Sequence, residues 1–249
     1  MNFQIGFEKD RKIKGGFIMV GVLDAIPMPE RDRTEIVNVE YMESKYPLYM
    51  AYETKVGKKE KYQTILADFK EMRDKLFDQE TGLIYDSYEV GKDAILEDGK
   101  FKIMSAGYYL MGIIDTMFEV AEEIYEQYRA YEGMFKEAIK GVLRYYNEEE
   151  GLFRKYILTA KQMDMELKEE ENPIDVKGSL MVAYAIWKAC YMNVLLNEKY
   201  MPIADQLFDC ARKMIDEKKT AELEDFYDWI LALKQETTFE PWIDENKPV

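Results

Sequence analysis

The sequence predicts an all-α fold, with helical hairpins wound in a ring around a centre. Three observations predict it. Long segments carry apolar residues three and four apart. Segments that are apolar nearly all round alternate with segments that are apolar on one face. A glycine-containing motif recurs at roughly the spacing of one hairpin. A chain of 249 residues, 47% hydrophobic and 14% aromatic, has enough apolar material for a sizeable core.

The first inner helix is expected near residues 36–55, in "EIVNVEYMESKYPLYMAYETKVG", with Val39, Met42, Tyr46, Tyr49 and Met50 on its apolar face. Gly57 is a plausible stop. The outer helix "KEKYQTILADFKEMRDKLF" follows, with Tyr62, Ile65, Leu66, Phe69, Met72 and Leu76 on one stripe. "SAGYYLMGIIDTMFEVAEEIYEQY" and "YEGMFKEAIKGVLRYY" form a second pair, its inner helix near 103–124. "IDVKGSLMVAYAIWKACYMNVLL", near 174–196, and "KYMPIADQLFDCARKMIDE" form a third. One more helix is expected over "TAELEDFYDWILALKQE", then an irregular tail. The hairpins are best supported over 36–217, the C-terminal helix and tail fill 218–249, and the whole chain, 1–249, is expected to be a single domain.

The repeat reads "FDQETGLIYD" from Phe77 to Asp86 and "YNEEEGLFRK" from Tyr146 to Lys155, with Gly82 and Gly151 69 residues apart. A fainter copy, "KIKGGFIM", places Gly16 66 residues further upstream. Gly82 and Gly151 are expected to follow successive outer helices where the backbone needs a positive φ.

Composition narrows the function. A net charge of −15 repels phosphate backbones and anionic lipid, so neither nucleic acid nor a membrane surface is expected as a partner. No window is apolar for long enough to span a bilayer. The absence of histidine removes the usual general base, the Ser-His and Cys-His nucleophile pairs and the commonest zinc ligand. The acid-rich run Thr159–Asp175 lacks the alternating Asp/Asn and Gly of a calcium loop, so no metal is expected, and no other cofactor. Cys190 and Cys210 read as two buried thiols. With no apolar signal core at the N-terminus, they give an expectation of a cytoplasmic protein.

Three segments, in order from about Ile36 to Ile215, resemble glycoside hydrolase families 88 and 105, the unsaturated glucuronyl and rhamnogalacturonyl hydrolases. They are "YETKVGKKEKY…LADFKEMRDKLFDQETGLIYDSYE", "GYYLMGIIDTMFEV" and "DVKGSLMVAYAIWKACYMNVLLNEKYMPIADQLFD". The resemblance implies an (α/α)6 toroid. It also implies an enzyme that hydrates the double bond of the unsaturated uronic acid left by polysaccharide lyases, one aspartate acting as general acid and base and a second assisting. An oligosaccharide is the implied partner.

The departures from the family pattern fall on the site. Where the family carries one functional Asp on its first inner helix, this chain has Asn38 in "IVNVEYM". The segment holding the family's main acid is shortened to "GKDAILEDGKFK", in which Asp98, ahead of the inner helix, or Asp93 could serve. The family's Arg position is Met104, its Trp is Tyr108, the His after the TGL turn is Asp86, and Lys177 stands in "DVKG". Tyr41, Tyr108 and Tyr109 could stack on a sugar ring. Asp86, Asp93, Glu97 and Asp98 cluster in sequence and could provide two carboxylates with separated pKa values, or simply a solvated acidic loop. Asp115, within an apolar helix, reads as a structural group or as a group facing the ring interior.

The chain supplies about seven helices, fewer than a full (α/α)6 ring, so an incomplete ring is expected, closed by residues 222–249 or by a homo-oligomer. Two functions are compatible with these features: a glycosidase-like protein with a degenerate active site, or a non-catalytic module that binds a saccharide or a protein.

Overall fold

The computed structural model describes residues 36–96, 100–121, 123–159 and 170–238, all within the unit Asp32–Val249. Seven α-helices carry the described fold: α1 (Glu40–Lys55), α2 (Tyr62–Leu76), α3 (Ile103–Phe118), α4 (Tyr125–Leu143), α5 (Val176–Tyr191), α6 (Asn197–Lys218) and α7 (Ala221–Thr238). Each of α1, α3 and α5 packs on the helix that follows it, and α1 packs on α3 and α3 on α5. Three α-hairpins therefore stand side by side with α1, α3 and α5 as the inner layer, as expected. α7 packs on α5 and α6, continuing the inner layer, with Ile230 and Thr237 buried.

Burial follows the two kinds of helix seen in the sequence. From Ser105 to Met117, α3 buries every residue except Tyr108, and α5 buries all but Lys177 and Trp187 from Val176 to Cys190. α2 buries the expected stripe of Tyr62, Ile65, Leu66, Phe69, Met72 and Leu76. α1 departs from the pattern: it is charged, holds Glu43 and Glu53 buried, and carries Pro47, which has no N–H to give to the carbonyl of Glu43.

The second and third inner helices end earlier than their periodic segments suggest, at Phe118 and Tyr191. The first ends at Lys55 as expected but starts later, because Ile36–Asn38 is a strand. Asn38 Oδ1 accepts a hydrogen bond from the Glu40 N–H at 2.8 Å, so Asn38 marks the entry to α1. A helical period continued through Asn38 misreads a residue that favours helix starts over helix interiors.

Short strands stitch the loops that enter the inner helices. β1 (Ile36–Asn38) runs antiparallel to β4 (Ser87–Glu89), with Asn38 opposite Ser87, and β4 pairs with β5 (Ala94–Ile95). β6 (Phe101–Lys102), just before α3, pairs with β7 (Tyr156–Ile157), which lies between α4 and α5. The entries to α1 and α3 are thus each tied to the connection that leads into the next inner helix.

The repeat is one turn used twice. Phe77–Asp78 (β2) pairs with Leu83–Ile84 (β3) after α2, and Gly82 between them has φ +75°. Gly151 has φ +69° after α4. Asp78 and Asn147 each accept from a backbone N–H two residues on, those of Glu80 and Glu149. The carbonyl of each also accepts from the N–H of the glycine four residues on. Gly16 lies outside the described residues.

Glycines also let the inner helices approach. A Cβ on Gly112 of α3 would stand 2.8 Å from the backbone carbon of Met42 and 3.0 Å from the Glu43 nitrogen in α1. Alanine is the better helix former, but here its methyl meets backbone that cannot turn aside. Gly112→Ala is expected to destabilise the protein by about 1–3 kcal/mol in urea unfolding, with an unchanged m-value.

Candidate functional site

The first turns of the inner helices and the strands that lead into them hold a group of polar side chains. Tyr108, in the second turn of α3, is the one residue of that helix left half-buried between Ser105 and Met117. Burial pushes its hydroxyl up to about 12, helped by the negative charges of Glu40, Glu43, Asp175 and Asp86. It therefore stays protonated at neutral pH and keeps a proton it can donate.

Asp86 is held on two sides. Its Oδ1 accepts from the Ser105 hydroxyl at 2.7 Å and its Oδ2 from the Ser87 hydroxyl at 2.8 Å. Lys102 Nζ stands 3.6 Å from the same Oδ2. The Asp86 carbonyl accepts from the Val39 N–H, which brings Asn38 and the start of α1 to this side.

Asp175 is the N-cap of α5, its Oδ1 accepting from the Gly178 N–H at 2.9 Å. Burial pushes its carboxyl up, against backbone hydrogen bonds at Gly178 and Lys177 and the positive charges of Lys177 and Lys155. Gly178 sets the spacing of α3 and α5: a Cβ there would lie 3.0 Å from the Met104 nitrogen.

The site residues expected from sequence divide. Asn38, Asp86 and Tyr108 come together at the entry to the inner helices. Tyr41 is 46% exposed on the first turn of α1, with Lys45 Nζ 4.1 Å from its ring centre. Lys177 reaches towards α7, paired with Glu222 and 5.5 Å from the Phe226 ring centre. Asp93 is 82% exposed, in the left-handed region at φ 50°, and bonds to Lys75 at 2.9 Å and to the Tyr88 hydroxyl. No contact joins Asp93 to the group around Tyr108 among the described residues. Asp98 and Glu97 lie outside those residues.

Glu40, Glu43, Ser105, Lys102 and Asp175 were not singled out from sequence. Only Asp175 had a local signal, as an Asp three residues before a Gly at the head of an apolar run.

Asp115 lies apart from the Tyr108 group. It is buried between α3 and α5 and accepts from Lys188 Nζ at 2.7 Å and from the Tyr184 hydroxyl at 2.9 Å. It is a satisfied structural group. Cys190 is a buried free thiol and Cys210 a half-buried one. Among the described residues no cluster of His, Cys, Asp and Glu side chains is arranged to hold a metal ion, and no helix is long and apolar enough to cross a membrane.

Solved structures share this helical architecture. A family 105 glycoside hydrolase from C. acetobutylicum matches with a TM-score of 0.62 at 19% identity, covering 73% of this chain and 49% of that one. A possible family 105 member from Klebsiella pneumoniae matches with a TM-score of 0.58 at 15% identity, covering 70% and 43%. A family 88 glycosyl hydrolase from Bacteroides vulgatus matches with a TM-score of 0.55 at 15% identity, covering 69% and 47%. The chain thus spans less than half the length of these structural relatives, and its fold is an incomplete α/α toroid of hairpins. No curated protein matches. The model of Glycosyl Hydrolase Family 88 matches residues 41–232, and the chain belongs to that family.

Proposed function

We propose that the protein binds an oligosaccharide at the entry to its inner helices and has lost most of the family's hydrolysis of unsaturated uronyl groups. The observation that carries this reading is Asn38. An amide holds the place of a family aspartate, and its oxygen is engaged by the Glu40 N–H. An amide does not exchange a proton near neutral pH, so one of the two acid–base groups is missing. The saccharide part rests on family membership and on Tyr108, a half-buried ring whose hydroxyl stays protonated and can donate to a sugar oxygen.

The test is calorimetric titration with a panel of oligosaccharides, on the wild type and on Tyr108→Phe. The phenylalanine variant keeps the ring and removes the donor. It is expected to weaken binding severalfold, by about 0.5–1.5 kcal/mol, and to leave the melting temperature close to that of the wild type. Binding of no saccharide would overturn the reading, and so would binding that Tyr108→Phe leaves untouched.

A further inference from the structure

α7 buries fewer side chains than any of the other six helices. They are Ile230 and Thr237 out of 18 residues, against 13 out of 16 in α5. Its remaining large apolar residues, Leu223, Phe226, Tyr227, Trp229, Leu231 and Leu233, are only half-buried. We propose that α7 is a hinged strap, which lifts from α5 and α6 as a unit while the three hairpins stay folded. Elements with few buried apolar contacts open at a fraction of the free energy that unfolds the whole domain.

Polar contacts at the edge of the core fasten the strap. Glu224 accepts from both terminal nitrogens of Arg212 on α6, at 2.8 and 3.0 Å, and Glu222 pairs with Lys177 of α5. These side chains are open to water, Glu222 79% and Glu224 39% exposed, and ion pairs so placed hold weakly. Further along, Lys234 lies 4.2 Å from the centre of the Phe208 ring and 4.9 Å from that of Trp187, and the Tyr184 hydroxyl bonds to Thr237. Asp225, Asp228, Ala232 and Gln235 are exposed on the outward face. Closed, the strap turns that face to solvent over the last apolar edge of the inner layer. Lifted, it bares Tyr184 and Trp187 of α5 and Phe208 of α6.

The hinge is two residues long, since α6 ends at Lys218 and α7 begins at Ala221. Lys219 lies in the left-handed region at φ 49°, its N–H bonded to the Ile215 carbonyl. That conformation is costly for a residue with a Cβ, so leaving it relieves strain. A few residues at the ends of elements are enough to absorb a hinge motion.

The test is amide hydrogen exchange of the full chain, read by mass spectrometry on peptides from α3, α5 and α7. Protection factors in α7 are expected to lie at least about tenfold below those in α5. Glu222→Gln together with Glu224→Gln removes both ion pairs at constant volume. That double variant is expected to lower protection in α7 severalfold and to leave α3 and α5 as they were. Equal protection in α5 and α7 would overturn the strap, because both would then open only with the whole domain. A double variant that lowers protection in α3 and α5 as much as in α7 would overturn it too. So would one that leaves α7 unchanged, since the ion pairs would then not be what fastens it.

Discussion

Incubated with an unsaturated uronyl disaccharide, the protein is expected to leave the absorbance of the conjugated double bond almost unchanged. General acid–base groups contribute about 10²–10⁴-fold each, and the loss is expected to be of that order relative to a member with both aspartates. The remaining carboxylates are poorly placed to compensate. Asp86 is fixed as an acceptor by the Ser105 and Ser87 hydroxyls, with Lys102 Nζ 3.6 Å away, so both its oxygens are already engaged. Asp93 is exposed and bonded to Lys75 and Tyr88, which denies it the apolar pocket a general acid needs. Asp175 has the burial an acid requires, but its Oδ1 is committed to the α5 cap. Asp98 is the remaining candidate. Robust turnover abolished by Asp98→Asn would overturn the degenerate-site reading. Turnover that survives both Asp98→Asn and Asp93→Asn would move the acid to another residue, with Asp175→Asn as the next variant to measure.

The helical framework was legible because it is a periodic property of many residues at once. The stripe of α2 and the all-round apolar runs of α3 and α5 each repeat their signal over four turns. The recurrence of the Gly82 and Gly151 turns was legible for a different reason: a positive φ limits the residue that can occupy the position. The strands were not legible. Each is two or three residues long, and β1 and β6 gain their partners from loops distant in sequence, as Phe101–Lys102 does from Tyr156–Ile157. Burial of Asp115 was read from its apolar surroundings, but its partner Lys188 lies 73 positions later and nothing local couples the two. The site was legible in part. Asn38, Asp86 and Tyr108 came from motif comparison, whereas Glu40 and Asp175 stand at the same end of the inner helices through packing that Gly112 and Gly178 allow, which no local pattern announces.

The largest stability effect is expected at that distant pair. Asp115 and Lys188 side chains are only 12% and 7% exposed, 2.7 Å apart between α3 and α5. The Tyr184 hydroxyl donates to the same Asp115 oxygen, and Lys188 also lies 4.4 Å from the centre of the Phe118 ring. Bringing both charges out of water costs several kcal/mol each, and their attraction returns that only while both are present. Lys188→Met leaves Asp115 buried with the Tyr184 hydroxyl as a neutral donor, and Asp115→Leu strands the ammonium group. Each single change is expected to cost about 3–5 kcal/mol in urea unfolding. The double variant Asp115→Leu/Lys188→Met removes both charges at similar volume and is expected to lie within about 1 kcal/mol of the wild type or above it. Tyr184 keeps a partner there, because its hydroxyl also bonds to Thr237 of α7. Screening is weak at such burial, so the single-variant losses are expected to change little between low and high salt. Single losses below about 1 kcal/mol, or a double variant as unstable as the two losses added together, would show that the pair does not hold α3 to α5 as a coupled unit.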